Sequence, residues 1–176
     1  MRKQSRWLAC GVIALALVTV NVSIWQKEQL LKQGEVMILP LAPVDPRSLM
    51  QGDYMALNYA LTQTLEQRLN QQAVTCGATL SAPCLPTSGT LIVDLDAQRH
   101  ATEARFDQGE PLQANQLRVK YHYNSGALTV GTNAYFFQEG HSERFAQARY
   151  GAFRVGSDGT ALLTDLLDEQ GKVIQP

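Results

Sequence analysis

The chain has 176 residues, with 15 Lys or Arg against 16 Asp or Glu and a formal net charge of -1. That balance leaves no basic excess for phosphate contacts and excludes a nucleic-acid binder driven by charge. At 18% charged and 45% hydrophobic residues the chain is too apolar for a disordered tail, and three cysteines with no CxxC pair exclude a dense disulfide scaffold and a structural zinc knuckle.

The first predicted element is an anchor. Arg2, Lys3 and Arg6 precede an apolar run from Trp7 to Val20, which continues through Asn21, Val22, Ser23 and Ile24 to Trp25. Residues 7–25 approach the roughly 20 residues that cross a bilayer as a helix, and a tryptophan stands at each end, as at membrane interfaces. The basic flank places residues 1–6 in the cytoplasm and the remainder on the far side. Two other readings of the run are a cleaved signal peptide and a buried core helix. No Ala-x-Ala-type site follows the stretch, and Cys10 lies too early for a lipidated cysteine, so an uncleaved signal-anchor is the expectation. The helical pattern continues as a stalk over residues 26–34, with Gly34 as its terminator.

From Glu35 to Pro176 the pattern predicts one domain, mostly antiparallel β with one or two helices, as an open sheet or a small barrel. This is an α+β class. Val36 to Leu39 is a short strand stopped by Pro40, and Pro43 and Pro46 bracket a bend. Tyr54 to Tyr59 reads as a strand with Met55, Leu57 and Tyr59 on one face. Leu61, Leu65 and Leu69 repeat every four residues, which predicts a helix. Cys76 and Cys84 flank a Gly-, Ser- and Pro-containing loop. In an oxidising compartment a disulfide between them would contribute about 2–3 kcal/mol. A metal or redox pair is the rival reading.

Thr90 to Asp96 is a strand, with Ala101 to Phe106 as its hairpin partner and Gly109-Glu110-Pro111 as a turn. Leu117, Val119, Tyr121 and Tyr123 alternate with Arg118, Lys120 and His122, the pattern of a half-buried strand. Asn124-Ser125-Gly126 turns into a strand at Leu128 to Val130, and Tyr135 to Phe137 forms another. Phe153 to Val155 and Ala161 to Leu163 make a last hairpin around Ser157-Asp158-Gly159.

Gly52-Asp53-Tyr54-Met55-Ala56-Leu57-Asn58-Tyr59 spells GDYxxLxY without a mismatch, after Pro43-Val44-Asp45-Pro46-Arg47. The string resembles the GDYXXLXY family of membrane-anchored bacterial proteins. Tyr135 to His141, Ala148-Arg149-Tyr150-Gly151 and Asp158-Gly159 resemble it as well, so the resemblance spans roughly residues 35–166. It implies a single-pass inner-membrane protein with a periplasmic domain and a multi-pass membrane partner, but no reaction. Within the string, Gly52 permits a sharp turn, Asp53 accepts backbone N–H bonds, and Tyr54 and Tyr59 carry apolar rings with polar tips. Two readings stand beside each other: a turn-and-strand core signature, or a recognition surface of Asp45, Arg47, Gly52, Asp53, Tyr54, Tyr59, Glu139 and Arg149. A catalytic carboxylate is a third.

Leu49-Met50-Gln51-Gly52-Asp53 is also similar to a segment of signal peptidases, but the nucleophile's place falls on Val44, which has no hydroxyl. A Ser48–Lys120 dyad is the remaining acyl-transfer arrangement. Glu139, His141 and Glu143 would share one side of a strand as metal ligands, against the plainer reading of a solvated loop. No cofactor is expected. The function expected is binding, accessory to a multi-pass partner; an envelope hydrolase and an envelope ligand sensor are the alternatives.

Overall fold

In a computed structural model the backbone is described for residues 2–42, 54–75, 87–124, 127–138 and 142–175, without the side chains of residues 2–10, 54, 70, 72–75 and 142. The chain divides into two units, Met1–Gly34 and Glu35–Pro176.

The first unit is one helix, α1 (Arg2–Gln33). At 1.5 Å per residue its 32 residues extend about 48 Å. Its apolar side chains have no cover: Val12, Ile13, Leu15, Leu17, Val18, Val20, Val22, Ile24 and Trp25 are all exposed. Thr19, Asn21 and Ser23 each donate a hydrogen bond to the carbonyl four residues back, at 2.8–3.0 Å. Lys32 pairs with Glu28 at 3.5 Å in the last turn, where a cation complements the helix dipole. The Gly34 N–H bonds to Leu30 O at 2.9 Å. Gly34 itself is not among the glycines with positive φ, so the helix ends without the left-handed residue its sequence led one to expect. Among the described residues no helix is long and apolar enough to cross a membrane. From Gly11 the apolar stretch reaches only to Trp25 before Gln26, Lys27 and Glu28.

The second unit is mixed α+β, mostly antiparallel. Its strands are β1 (Glu35–Pro40), β2 (Tyr54–Ala56), β3 (Ser88–Leu95), β4 (Ala101–Phe106), β5 (Gln116–Asn124), β6 (Ala127–Val130), β7 (Ala134–Phe136), β8 (Tyr150–Val155) and β9 (Ala161–Leu167). Its helices are α2 (Ala60–Thr75) and the single turn α3 (Ser142–Phe145). They form a sheet β1-β8-β9, a ribbon β2-β7 and a sheet β4-β3-β5-β6.

Backbone bonds tie the two larger sheets at both ends. On one side Ile38 bridges His100 in parallel, and the Ile38 N–H bonds to Arg99 O at 2.9 Å. On the other, the Lys120 N–H bonds to Gly159 O, in the β8–β9 turn, at 2.7 Å. One apolar cluster fills the space between: Met37 and Leu39 of β1, Leu65 and Leu69 of α2, Leu91 and Val93 of β3, Val119 and Tyr121 of β5, and Phe153 of β8. The period-two alternation of β5 holds: Leu117, Val119 and Tyr121 are buried while Lys120 and His122 are exposed. Helix α2 lays Leu65 and Leu69 into the core, and its Glu66 accepts the Leu128 N–H of β6 at 2.6 Å, satisfying an edge-strand donor.

The connection from β4 to β5 must cross β3, because both strands pair antiparallel to it. Residues 107–115 make that crossing over the outer face. There Ile92, fully buried, stands in register between Arg105 and Arg118. Arg118 bonds Asp107 Oδ2 at 2.9 Å and also the Glu110 carbonyl. Arg105 bonds Asp94 Oδ2 at 3.0 Å and Glu110 Oε2 at 3.4 Å, and Gln116 donates to Asp94 Oδ1 at 2.6 Å. The arginine stems cover apolar surface while their heads hold the crossing loop down.

Gly131, just past β6, has φ +64°, and a Cβ there would sit 2.9 Å from the Phe153 ring and 3.0 Å from Ala161 O. Gly131→Ala therefore combines a strained φ with a clash, and is expected to cost about 2 kcal/mol of stability. Urea denaturation of the purified protein measures the shift in midpoint; an unchanged midpoint would contradict this packing.

Candidate functional site

Gly52 and Asp53 lie outside the described residues, as do Asp45, Arg47, Ser48, Glu139, His141, Cys76 and Cys84. The readings placed on them, the disulfide included, lie there too. Of the string, residues 54–59 are described, and Met55, Leu57 and Tyr59 are built into the core.

Tyr54 stands opposite Phe136 in the β2–β7 register, and Met55 opposite Tyr135. The expected strand to Tyr59 stops at Ala56, because beyond it the backbone partners change. The Leu57 N–H goes to Asn133 O at 2.7 Å, and Asn58 O accepts the Ala42 N–H at 2.7 Å. The alternation survives the change: Met55, Leu57 and Tyr59 are all buried. The Tyr59 hydroxyl donates to Thr132 O at 2.9 Å, and its ring meets Phe153 edge-on at 5.6 Å. Its carbonyl accepts the Thr62 N–H and hydroxyl, which starts α2. Burial pushes the Tyr59 hydroxyl well above the usual tyrosine pKa, so it stays a neutral donor.

Arg149 lies beside this node. Its backbone is clamped on both sides: the Arg149 N–H bonds to Leu167 O and Arg149 O accepts the Leu41 N–H, both at 2.8 Å. Its guanidinium is exposed and reaches the Ala148 carbonyl at 3.3 Å. Leu41 and Ala42, on the near side of residues 43–53, pair with Tyr59 and Asn58 on the far side. Through Leu41, Arg149 is thus joined to the backbone pairing with Tyr59 and Asn58. Next to it, Tyr150 meets His100 edge-on at 5.1 Å. The ribbon β2–β7 adds Phe136, 77% exposed, while Tyr135 and Phe137 pack on the buried Phe145.

Lys120, the candidate base of an acyl-transfer dyad, donates to Asp158 Oδ2 at 2.8 Å. Among the described residues no group of three or more His, Cys, Asp or Glu side chains could hold a metal ion. Sequence reasoning missed the Asp94–Arg105–Glu110–Arg118–Asp107 network. The alternation of β5 marked Arg118 as outward-facing, but its acidic partners follow only from strand register and from the crossing loop.

The family model for the GDYXXLXY protein matches residues 16–166, and the chain belongs to that family. No curated protein and no solved structure matches the chain.

Two carboxylates carry a pH signature. Lys120 and Thr160 hold the Asp158 carboxyl well below the usual carboxylate range. The Gly109 N–H, with the Arg118 guanidinium, lowers Asp107 against the opposing effect of desolvation. A lowered folded-state pKa gives stabilisation that is complete above the unfolded value and is lost as pH falls toward the folded one. Stability from these two sites is thus expected to be flat from neutral pH to about 5 and to decline below about pH 4. Urea midpoints from pH 2 to 7 check this. Asp158→Asn should flatten the acid limb, and an equally steep limb in the variant would count against the pairing.

Proposed function

We propose that this member of the GDYXXLXY family is a single-pass inner-membrane protein, anchored by α1, whose periplasmic domain binds a multi-pass membrane partner without catalysing a reaction. The observation that carries the reading is α1 itself. Its apolar side chains are exposed on every side, and its three central polar side chains bond back to their own helix. That is what hydrocarbon demands, because water is not there to satisfy them. The sequence run from Trp7 adds the turn that precedes Gly11, and Trp7 to Trp25 then matches the bilayer's needs. The Arg2, Lys3 and Arg6 flank orients the helix with its N-terminus in the cytoplasm.

Within the domain, the polar groups are largely engaged with one another. Arg105, Arg118 and Lys120 hold Asp94, Asp107, Glu110 and Asp158. Arg149 presents an exposed cation and Phe136 an exposed ring, beside Leu41 and opposite Tyr54 respectively. An arginine and an aromatic ring are the residue types that dominate binding energy at protein interfaces. Tethering to the bilayer raises the domain's effective concentration near any membrane-embedded partner.

The test is affinity capture of the full chain from gently solubilised membranes, beside an Arg149→Ala, Phe136→Ala double variant at matched abundance. The expected result is a membrane fraction that resists alkaline extraction and one enriched multi-pass protein, reduced about tenfold in the variant. Release of the chain by alkali would contradict the anchor. A partner held equally by the variant would contradict the proposed surface, and the lack of any enriched partner would contradict the accessory role.

A further inference from the structure

The anchor carries a heptad seam that its membrane role alone does not require. Leu17, Ile24 and Leu31 repeat every seven residues along α1, and Ala14, Asn21 and Glu28 repeat every seven between them. This is the d and a spacing of a two-stranded coiled coil, and one face of a helix carries it. Two residues on the seam stand out physically. Leu31 lies past Gln26, Lys27 and Glu28 in the polar stalk, yet it is 44% exposed. Asn21 lies in the apolar stretch. Its amide spends one N–H on Leu17 O at 2.8 Å, and no other partner for it is described. In hydrocarbon its carbonyl and second N–H are costly to leave unpaired.

We infer that α1 docks in parallel against α1 of a second copy of this chain, with Asn21 facing Asn21 at the centre of the seam. The inference rests on the anchor reading proposed above. A second copy is the occupant that fits, for three reasons. An amide is donor and acceptor at once, so two asparagines at one depth satisfy each other reciprocally. The basic flank inserts every copy in the same direction, which brings like positions to like depth. A single polar residue at an a position fixes register in parallel pairs. In that register, Leu17, Ile24 and Leu31 meet their own counterparts, and Ala14 lets the backbones approach. Glu28, the third a position, faces Glu28 of the second copy with that copy's Lys27 beside it, and each Glu28 is already paired with its own Lys32 at 3.5 Å.

The full chain tests this directly. Two differently tagged copies are co-expressed in a Cys10→Ala background, carrying either Leu31→Cys on the seam or Gln26→Cys on the opposite face. Membranes are oxidised with copper phenanthroline. Asn21→Leu, which keeps the helix apolar, is assayed by co-capture of the two tags. The expected result is at least about tenfold more cross-linked dimer from Leu31→Cys than from Gln26→Cys, and about three- to tenfold weaker co-capture with Asn21→Leu. Equal cross-linking at the two positions, or unchanged co-capture with Asn21→Leu, in protein that still sediments with membranes overturns the pairing and leaves the anchor standing. Protein recovered in the soluble fraction overturns both, because Asn21 would then be hydrated.

Discussion

Tyr59 is where the domain is tied together. Its ring lies in the core against Phe153 of β8, and its hydroxyl ends on the Thr132 carbonyl between β6 and β7. Its backbone bridges Leu41 just past β1, and its carbonyl starts α2. No single one of these bonds is strong, since a neutral hydrogen bond nets about 1 kcal/mol. Their value is positional. They draw the ends of four elements to one residue. The last tyrosine of the family string is therefore an interior joint.

The rest of the domain divides its polar groups according to that joint. On the outer face of the β4-β3-β5-β6 sheet, Arg105 and Arg118 neutralise four acceptor groups and pin the loop that crosses β3. Buried Ile92 lies beneath them. The two arginines of that face are thus paired with Asp94, Asp107 and Glu110. Beside Tyr59 the balance differs. Arg149 is held rigidly by its backbone, bonded to Leu41 and Leu167, while its guanidinium stays exposed. Its base is fixed and its head is restrained by the Ala148 carbonyl at 3.3 Å, which reduces the side-chain entropy left to lose on contact with another molecule.

Much of this was legible in the chain, for local reasons. The spacing of Leu61, Leu65 and Leu69 marked α2, and the alternation of Leu117, Val119 and Tyr121 marked β5. The turn residues around Asp158-Gly159 marked the β8–β9 hairpin. In each case the signal lies within one element. What was not legible depends on pairing between distant elements. The register that sets Ile92 between Arg105 and Arg118 decides the outer network, and the antiparallel pairing of β1 with β8 decides where Arg149 sits. The strand expected through Tyr59 ended at Ala56, because Leu57 and Asn58 bond to Asn133 and Ala42 instead. Alternation survived there while the ladder did not, since burial follows side-chain direction and the ladder follows backbone partners. Within the family string, the types of Leu57 and Tyr59 agree with an interior place, but nothing local tells a buried tyrosine from a displayed one.

Tyr59 holds the elements around it through its hydroxyl as well as its ring. Amide hydrogen exchange of the full chain, compared with Tyr59→Phe, tests it most directly. Faster exchange is expected at Leu41, Ala42 and Leu57, whose N–H groups bond across this joint, with the β3 and β5 amides keeping their protection. Unchanged exchange at those three residues, or an equal loss of protection across the whole domain, would contradict it.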